Sequence, residues 1–148
     1  MTNKTMLCEV MNKLKLSDSS FTERIISQKT VYLLQEFGLQ TNYDFKWYNY
    51  GVYSRELADD IFSSNSLQIS LTPTNTDTEV AIKKFADFSV ESIKDPLFLE
   101  LASSVRFLLK QNPFIEKEKL YQKIVELKPH LNNQEQFNQI YERLVKLD

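Results

Sequence analysis

The sequence predicts a mainly helical α+β domain with a small two- or three-stranded antiparallel sheet inserted after the second helix. Three observations carry this. Apolar residues recur at helical spacing along most of the chain. Residues 43–48, YDFKWY, switch to the two-residue period of a half-buried strand. Gly38, Pro96 and Asn112-Pro113 stand where helical stretches begin or end. At 148 residues the chain suits one domain with a real core. That single domain, 1–148, divides into an N-terminal helix at 1–19, a helix–strand–turn–helix–strand region at 20–72, and C-terminal helices over 73–148. A winged-helix-like arrangement is compatible with this order.

Taken in order, residues 3–16 form a helix with Met6, Val10, Met11 and Leu14 on one side. Ser20 and Glu23 make a capping-box pair. The helix they start carries Ile25, Ile26, Val31, Tyr32, Leu33, Leu34 and Phe37, a stripe too wide for a surface helix, so it is central and buried. Gly38 ends it as a left-handed cap. In the strand, Tyr43, Phe45 and Trp47 alternate with Asp44, Lys46 and Tyr48. Gly51 permits a turn, and Ser54 caps a helix over 54–63 with Glu56 in its first turn. Leu67, Ile69 and Leu71 suggest a second strand at 67–72, stopped by Pro73. Helices follow at 77–94, at 96–111 with Asp95 as cap and Pro96 at the first position, at 115–127, and at 133–147 with Asn132 and Glu135 as a capping pair.

Composition bounds the function. Eighteen basic and twenty acidic residues leave a net charge of −2, and no segment is a basic stripe of the kind that grips a phosphate backbone. The lone Cys8 fits a reducing compartment, and neither a leader nor a membrane-length apolar run is visible, so a cytoplasmic location is expected. Abundant Asn, Lys, Phe and Tyr with two glycines suggest an AT-rich genome, such as a low-GC bacterium, a phage or another mobile element.

Little catalytic chemistry is available. One His and one Cys offer no zinc-ligand spacing, and His130, in the loop KPHLNN, has no nucleophile motif beside it. Cys8 follows Leu7 in an amphipathic helix and reads as a small buried hydrophobe. Two glycines cannot build a phosphate-cradling loop. Asp59 and Asp60 point about 100° apart on a helix and read as a solvated face. No enzymatic activity, cofactor or metal is expected.

The segment YDFKWYNYGVYS, residues 43–54, is the exception, with six aromatic rings in its first eleven positions. Tyr43, Phe45 and Trp47 belong to the core on this reading. Lys46, Tyr48, Tyr50 and Tyr53, with Arg55, form an outward set that is either the wet edge of that core or a platform for a partner.

The same residues resemble a known family. Gln28, Lys29, Val31, Tyr32, Leu33 and Leu34, then YDFKWYNYGVYS and Glu56-Leu57, are similar to the signature of YwgA-like proteins, and the stretches LELAS at 99–103 and ELKP at 126–129 resemble that family's C-terminal half. The resemblance covers about residues 20–148. A more distant likeness is to the Panacea antitoxin domain, including SocA-like antitoxins. Val52 stands where the family usually has Pro, and Ser27 where it has Leu. The resemblance implies a regulatory or interaction role: Panacea kin neutralise protein toxins or act as adaptors, and YwgA-like proteins loosely resemble winged-helix regulators. It also marks Gln28, Lys29, Tyr32, Gly51 and Ser54 as a structural motif. Polar groups on a buried helix need partners, and the turn at 50–53 is where Gln28 and Lys29 are expected to find them.

The expected partner is therefore another protein (a toxin, a defence component or a regulator), bound at Lys46, Tyr48, Tyr50, Tyr53 and Arg55. A homodimer is compatible with this reading, and no membrane association is expected. The alternative is a winged-helix DNA-binding regulator, with 54–63 or 23–37 as recognition helix, 66–72 as wing, and Lys46, Arg55, Lys83 and Lys84 on phosphate.

Overall fold

The computed structural model describes residues 2–49, 51–64 and 75–146, with the side chain of Ser64 excepted. Tyr50 and the expected strand and wing at 66–72 lie outside the described residues. The chain runs α1 (Asn3–Leu14), α2 (Phe21–Glu36), β1 (Lys46–Tyr48), β2 (Gly51–Tyr53), α3 (Arg55–Ser64), α4 (Thr76–Ser89), α5 (Pro96–Gln111), α6 (Lys117–Leu127) and α7 (Gln134–Val145). Short 3₁₀ turns at Val90–Ser92 and Pro129–Leu131 follow α4 and α6. Among the described residues the fold is mainly α, with one small antiparallel sheet after the second helix.

Local chemistry sets the helix ends. The Ser20 hydroxyl accepts the Glu23 amide at 3.1 Å. At the other end of α2, Gly38 adopts φ 115°, the Leu39 amide donates to the Leu34 carbonyl at 2.9 Å, and the Gly38 amide to Gln35 at 3.2 Å. This is the Schellman arrangement that satisfies two otherwise orphaned carbonyls. Asp95 accepts the Leu97 amide at 3.1 Å and the Phe98 amide at 3.4 Å, with Pro96 in the first helical position. For α7 the cap is Asn133, one residue later than expected, and its side chain accepts the Gln136 amide.

Two elements differ from the sequence reading. The helix expected over 77–94 stops at Ser89, because Val90 takes φ 51° and the Ser89 hydroxyl turns back to the Phe85 carbonyl at 2.7 Å. A β-branched residue in that conformation is strained. The strand expected over 43–48 forms a ladder only at Lys46–Tyr48. Its partner is the immediately following Gly51–Tyr53, in register Lys46↔Tyr53, Trp47↔Val52 and Tyr48↔Gly51. A tight hairpin thus replaces the strand-then-turn of the sequence reading. The residues before it are held by side chains: the Gln35 amide group receives the Tyr43 amide at 2.9 Å and donates to the Tyr43 carbonyl at 3.0 Å.

The core is built around α2, in which every residue from Ile26 to Leu34 is buried. It rests on α5, α4, α3 and β2, while α5 also meets α6 and α7. Glu36 and Arg106, both about nine-tenths buried, join α2 to α5 at 2.8 Å, and Lys110 adds a second contact to Glu36 at 3.0 Å. From Ile26 to Leu34 α2 offers no free face to a DNA groove, and only its first turns are open, which counts against 23–37 as a recognition helix. No helix among the described residues is long and apolar enough to cross a membrane.

Candidate partner-binding groove

The hairpin is held from beneath by side chains that grip its backbone. Gln28 donates its Nε2 to the Ser54 carbonyl at 2.9 Å and accepts the Ser54 amide on Oε1 at 2.9 Å. One residue on, the Lys29 Nζ donates to the Val52 carbonyl at 2.6 Å. From the far end of the chain, the Lys128 Nζ donates to the Asn49 carbonyl at 2.9 Å. Two carbonyls of the hairpin, Asn49 and Val52, and that of Ser54 just after it are therefore fixed by three buried donors. Ser54 continues the chain into α3, where its hydroxyl accepts the Leu57 amide at 3.2 Å.

Gly51 lies over these amines with φ 90°, a conformation that favours glycine. A Cβ added there would meet Lys128 Cε and Lys29 Nζ at 3.5 Å, ordinary contact distance, so the backbone and not the space calls for glycine. Glu100 on α5 faces this cluster: Oε2 lies 3.2 Å from Lys128 Nζ and Oε1 lies 2.9 Å from His130 Nε2. Burial pushes the Lys29 ammonium down to about 8, with Glu100 opposing that shift and the nearby Lys128 charge adding to it. Lys29 is fully buried with Nζ on a carbonyl, so it works as a tether.

Above this base the hairpin directs two sets of rings. Paired residues share a face, so Trp47 and Val52 point inward while Lys46, Tyr48 and Tyr53 point outward. Val52 is fully buried. Trp47 is half-buried, lies 5.8 Å from the Phe107 ring, and carries the Lys128 ammonium 5.6 Å above its own centroid. Tyr48 and Tyr53 meet edge to face at 5.6 Å.

Beside these rings runs a groove of about 860 Å³, walled by the first turns of α2, the hairpin, the start of α3 and the end of α6. Tyr48, Tyr53 and Arg55, expected at a partner site, line it, and so does Trp47, expected in the core. Lys46 does not: it is exposed and pairs with Asp44 at 3.7 Å. Nine large apolar side chains are exposed among the described residues, and three of them, Phe21, Tyr48 and Leu127, border this one groove. Scattered exposed apolar residues need no explanation, whereas a cluster of them makes a candidate contact surface.

Several residues fall elsewhere. Tyr32, one turn beyond Gln28, does not reach the hairpin turn: its ring sits against Phe45 at 5.0 Å and Phe107 at 6.4 Å. Its buried hydroxyl has no hydrogen-bond partner among the described residues, and burial raises it far above the ordinary phenol range. Asp60, read as solvated, accepts the Tyr43 hydroxyl at 2.7 Å and ties α3 to the segment before the hairpin. Burial, reinforced by that bond, raises the Tyr43 phenol as well. Cys8 is only half-buried. Sequence reasoning missed Arg24, Phe21, Leu127, Glu100 and Lys128. The groove residues among them looked like ordinary helix surface, and Lys128 lay in a stretch read as a separator.

Among the described residues no three His, Cys, Asp or Glu side chains converge to hold a metal ion. Comparison with known proteins finds no matching family model, no matching curated protein and no matching solved structure.

Proposed function

We propose that the chain is a non-enzymatic regulatory protein that acts by binding another protein in the groove beside Tyr48 and Tyr53. The observation that carries this is the pairing of a clamped hairpin with a cluster of exposed apolar side chains. Buried donors fix the carbonyls of Asn49, Val52 and Ser54 in and just after the hairpin, so the rings above them are presented without the entropy cost of ordering a loop on binding. Aromatic anchors around a partly apolar depression are the usual centre of a protein interface. The antitoxin-like or defence-related class of the partner rests on the sequence resemblance to YwgA-like and Panacea proteins alone.

A winged-helix DNA-binding role has less support. The other recognition-helix candidate, α3, exposes Glu56 and Asp59, acids that repel a phosphate backbone laid along the helix; neither lines the groove, where Arg55 is the one charged side chain of α3. Lys46, another of the expected phosphate contacts, is already beside Asp44.

The test is site-specific photo-cross-linking in cells that naturally produce the protein, with p-benzoylphenylalanine in place of Phe21 on the groove rim or of Phe114, 94% exposed and outside the groove lining. The expected result is a discrete protein adduct from position 21 and none from position 114. No adduct, or equal adducts from both, would overturn the proposal.

A further inference from the structure

The lining of the groove narrows what the partner brings to it. Its charged residues are Arg24, Arg55 and Lys128 against Asp18, three cations to one acid. The chain as a whole carries −2, so the groove runs against the charge of the molecule around it. The three cations are not equally committed. Lys128 is buried and engaged with Glu100 and the Asn49 carbonyl. Arg24 and Arg55 are exposed. Arg24 spends one Nη1 contact, 3.3 Å, on the Asp18 carbonyl, and Arg55 makes no ion pair among the described residues. A guanidinium has five N–H donors in a planar fork that matches a carboxylate, so both arginines retain donors for an incoming acid. The same lining carries aliphatic side chains, Ile25, Ala58, Ile61 and Leu127, with the indole of Trp47.

We infer that the groove takes an acidic segment of the partner protein, its Asp or Glu carboxylates held by Arg24 and Arg55 and an apolar side chain of the same segment seated against Ile61, Leu127 and Trp47. This rests on the reading that the partner is a protein. Arginine beside aromatic rings also suits nucleic acid, but three features favour the acidic segment. Tyr48 and Tyr53 pack edge to face on each other, so they do not stand as parallel platforms for stacked bases. The aliphatic wall has no counterpart in a base–phosphate chain. Two arginines with donors to spare are too few to track a backbone that offers a charge at every nucleotide.

The experiment measures binding of the purified protein to three probes: a random Glu–Tyr copolymer, a Lys–Tyr copolymer of matched length, and oligothymidine. Each is compared with Arg24→Gln/Arg55→Gln and with Phe114→Ala as an off-site control, after confirming by thermal melting that the variants fold. The Glu–Tyr copolymer is expected to bind, to weaken about tenfold or more in the double arginine variant, and to weaken with added salt. Phe114→Ala should bind it as the parent does, and the Lys–Tyr copolymer should not bind. Failure of the Glu–Tyr copolymer to bind, or equal binding by the double variant, would overturn the inference. So would oligothymidine binding that depends on the same arginines and exceeds the copolymer. If the copolymer fails while the cross-link from position 21 persists, the acidic segment falls and the protein partnership stands; if both fail, both fall.

Discussion

At its C-terminal end α2 meets α5 through Glu36, which takes Arg106 at 2.8 Å and Lys110 at 3.0 Å. Two turns earlier the same helix meets the hairpin through Gln28 and Lys29, whose partners are the backbone of Ser54 and Val52. Both regions bury polar groups on one helix, and the partners differ in kind. A carboxylate gripping a guanidinium joins two helices that apolar packing already holds together, and such pairs add little net stability for the desolvation they require. A side chain gripping backbone instead fixes the dihedral angles of a segment with only three paired residues per strand, too short to hold itself in water. The first region fastens two helices that already pack together; the second sets the shape of the groove.

The largest expected effect breaks the first region alone. Glu36→Leu removes the carboxylate from the buried Arg106 and should cost about 3–5 kcal/mol in urea unfolding. Below its transition the variant should give the position-21 cross-link as the parent does. Gln28→Leu breaks the second region. It leaves the Ser54 amide and carbonyl buried without their side-chain partners and should cost about 2–4 kcal/mol, and here the cross-link should be lost even where the chain is folded. Unchanged stability in Gln28→Leu would mean the hairpin does not depend on that clamp.

A pH series sharpens the contrast. In the folded chain Lys29 sheds its proton near pH 8, whereas the unfolded chain keeps it to about 10.5. The unfolded state then binds more protons across that window, so stability rises with pH above 8, by about 1–3 kcal/mol before other groups intervene. Tyr32 and Tyr43 act in the opposite sense: their phenols are raised in the folded chain, so above about pH 10 the unfolded chain loses those protons first and stability falls. Urea denaturation at pH 7, 8, 9 and 10 should show the rise in the parent and none in Lys29→Met. The smallest effect belongs to Tyr32, between the two regions. With no partner for its hydroxyl among the described residues, Tyr32→Phe should be neutral or stabilise by up to about 1 kcal/mol. A clear loss would point to a bond not yet identified.

The helices were legible because their signals are local. Ser20, Gly38 and Asp95-Pro96 act within a few residues of where they stand, and the breadth of the α2 apolar stripe foretold its burial. The hairpin was half legible: Trp47 and Tyr48 alternate as a strand should, but Gly51–Tyr53 is too short to announce a second strand by period. Gln28 and Lys29 stood out as polar residues on a buried stripe. Their counterpart could not be found in this way, because Lys128 reaches Asn49 across 79 positions, and nothing local to ELKPH distinguishes a lysine that will be buried from one in solvent. The groove had the same difficulty. Phe21, Arg24 and Leu127 are ordinary helix-end residues until the fold sets them beside Tyr48.

The central claim is that the hairpin's outward tyrosines serve a partner and not the core. Tyr48→Ala with Tyr53→Ala tests it most directly, with thermal melting and the position-21 cross-link measured on the same variant. Tyr48 is exposed and Tyr53 half-buried, so the expected result is a folded protein destabilised by about 1 kcal/mol that no longer forms the adduct. A variant that fails to fold, or one that folds and still forms the adduct, would contradict the claim.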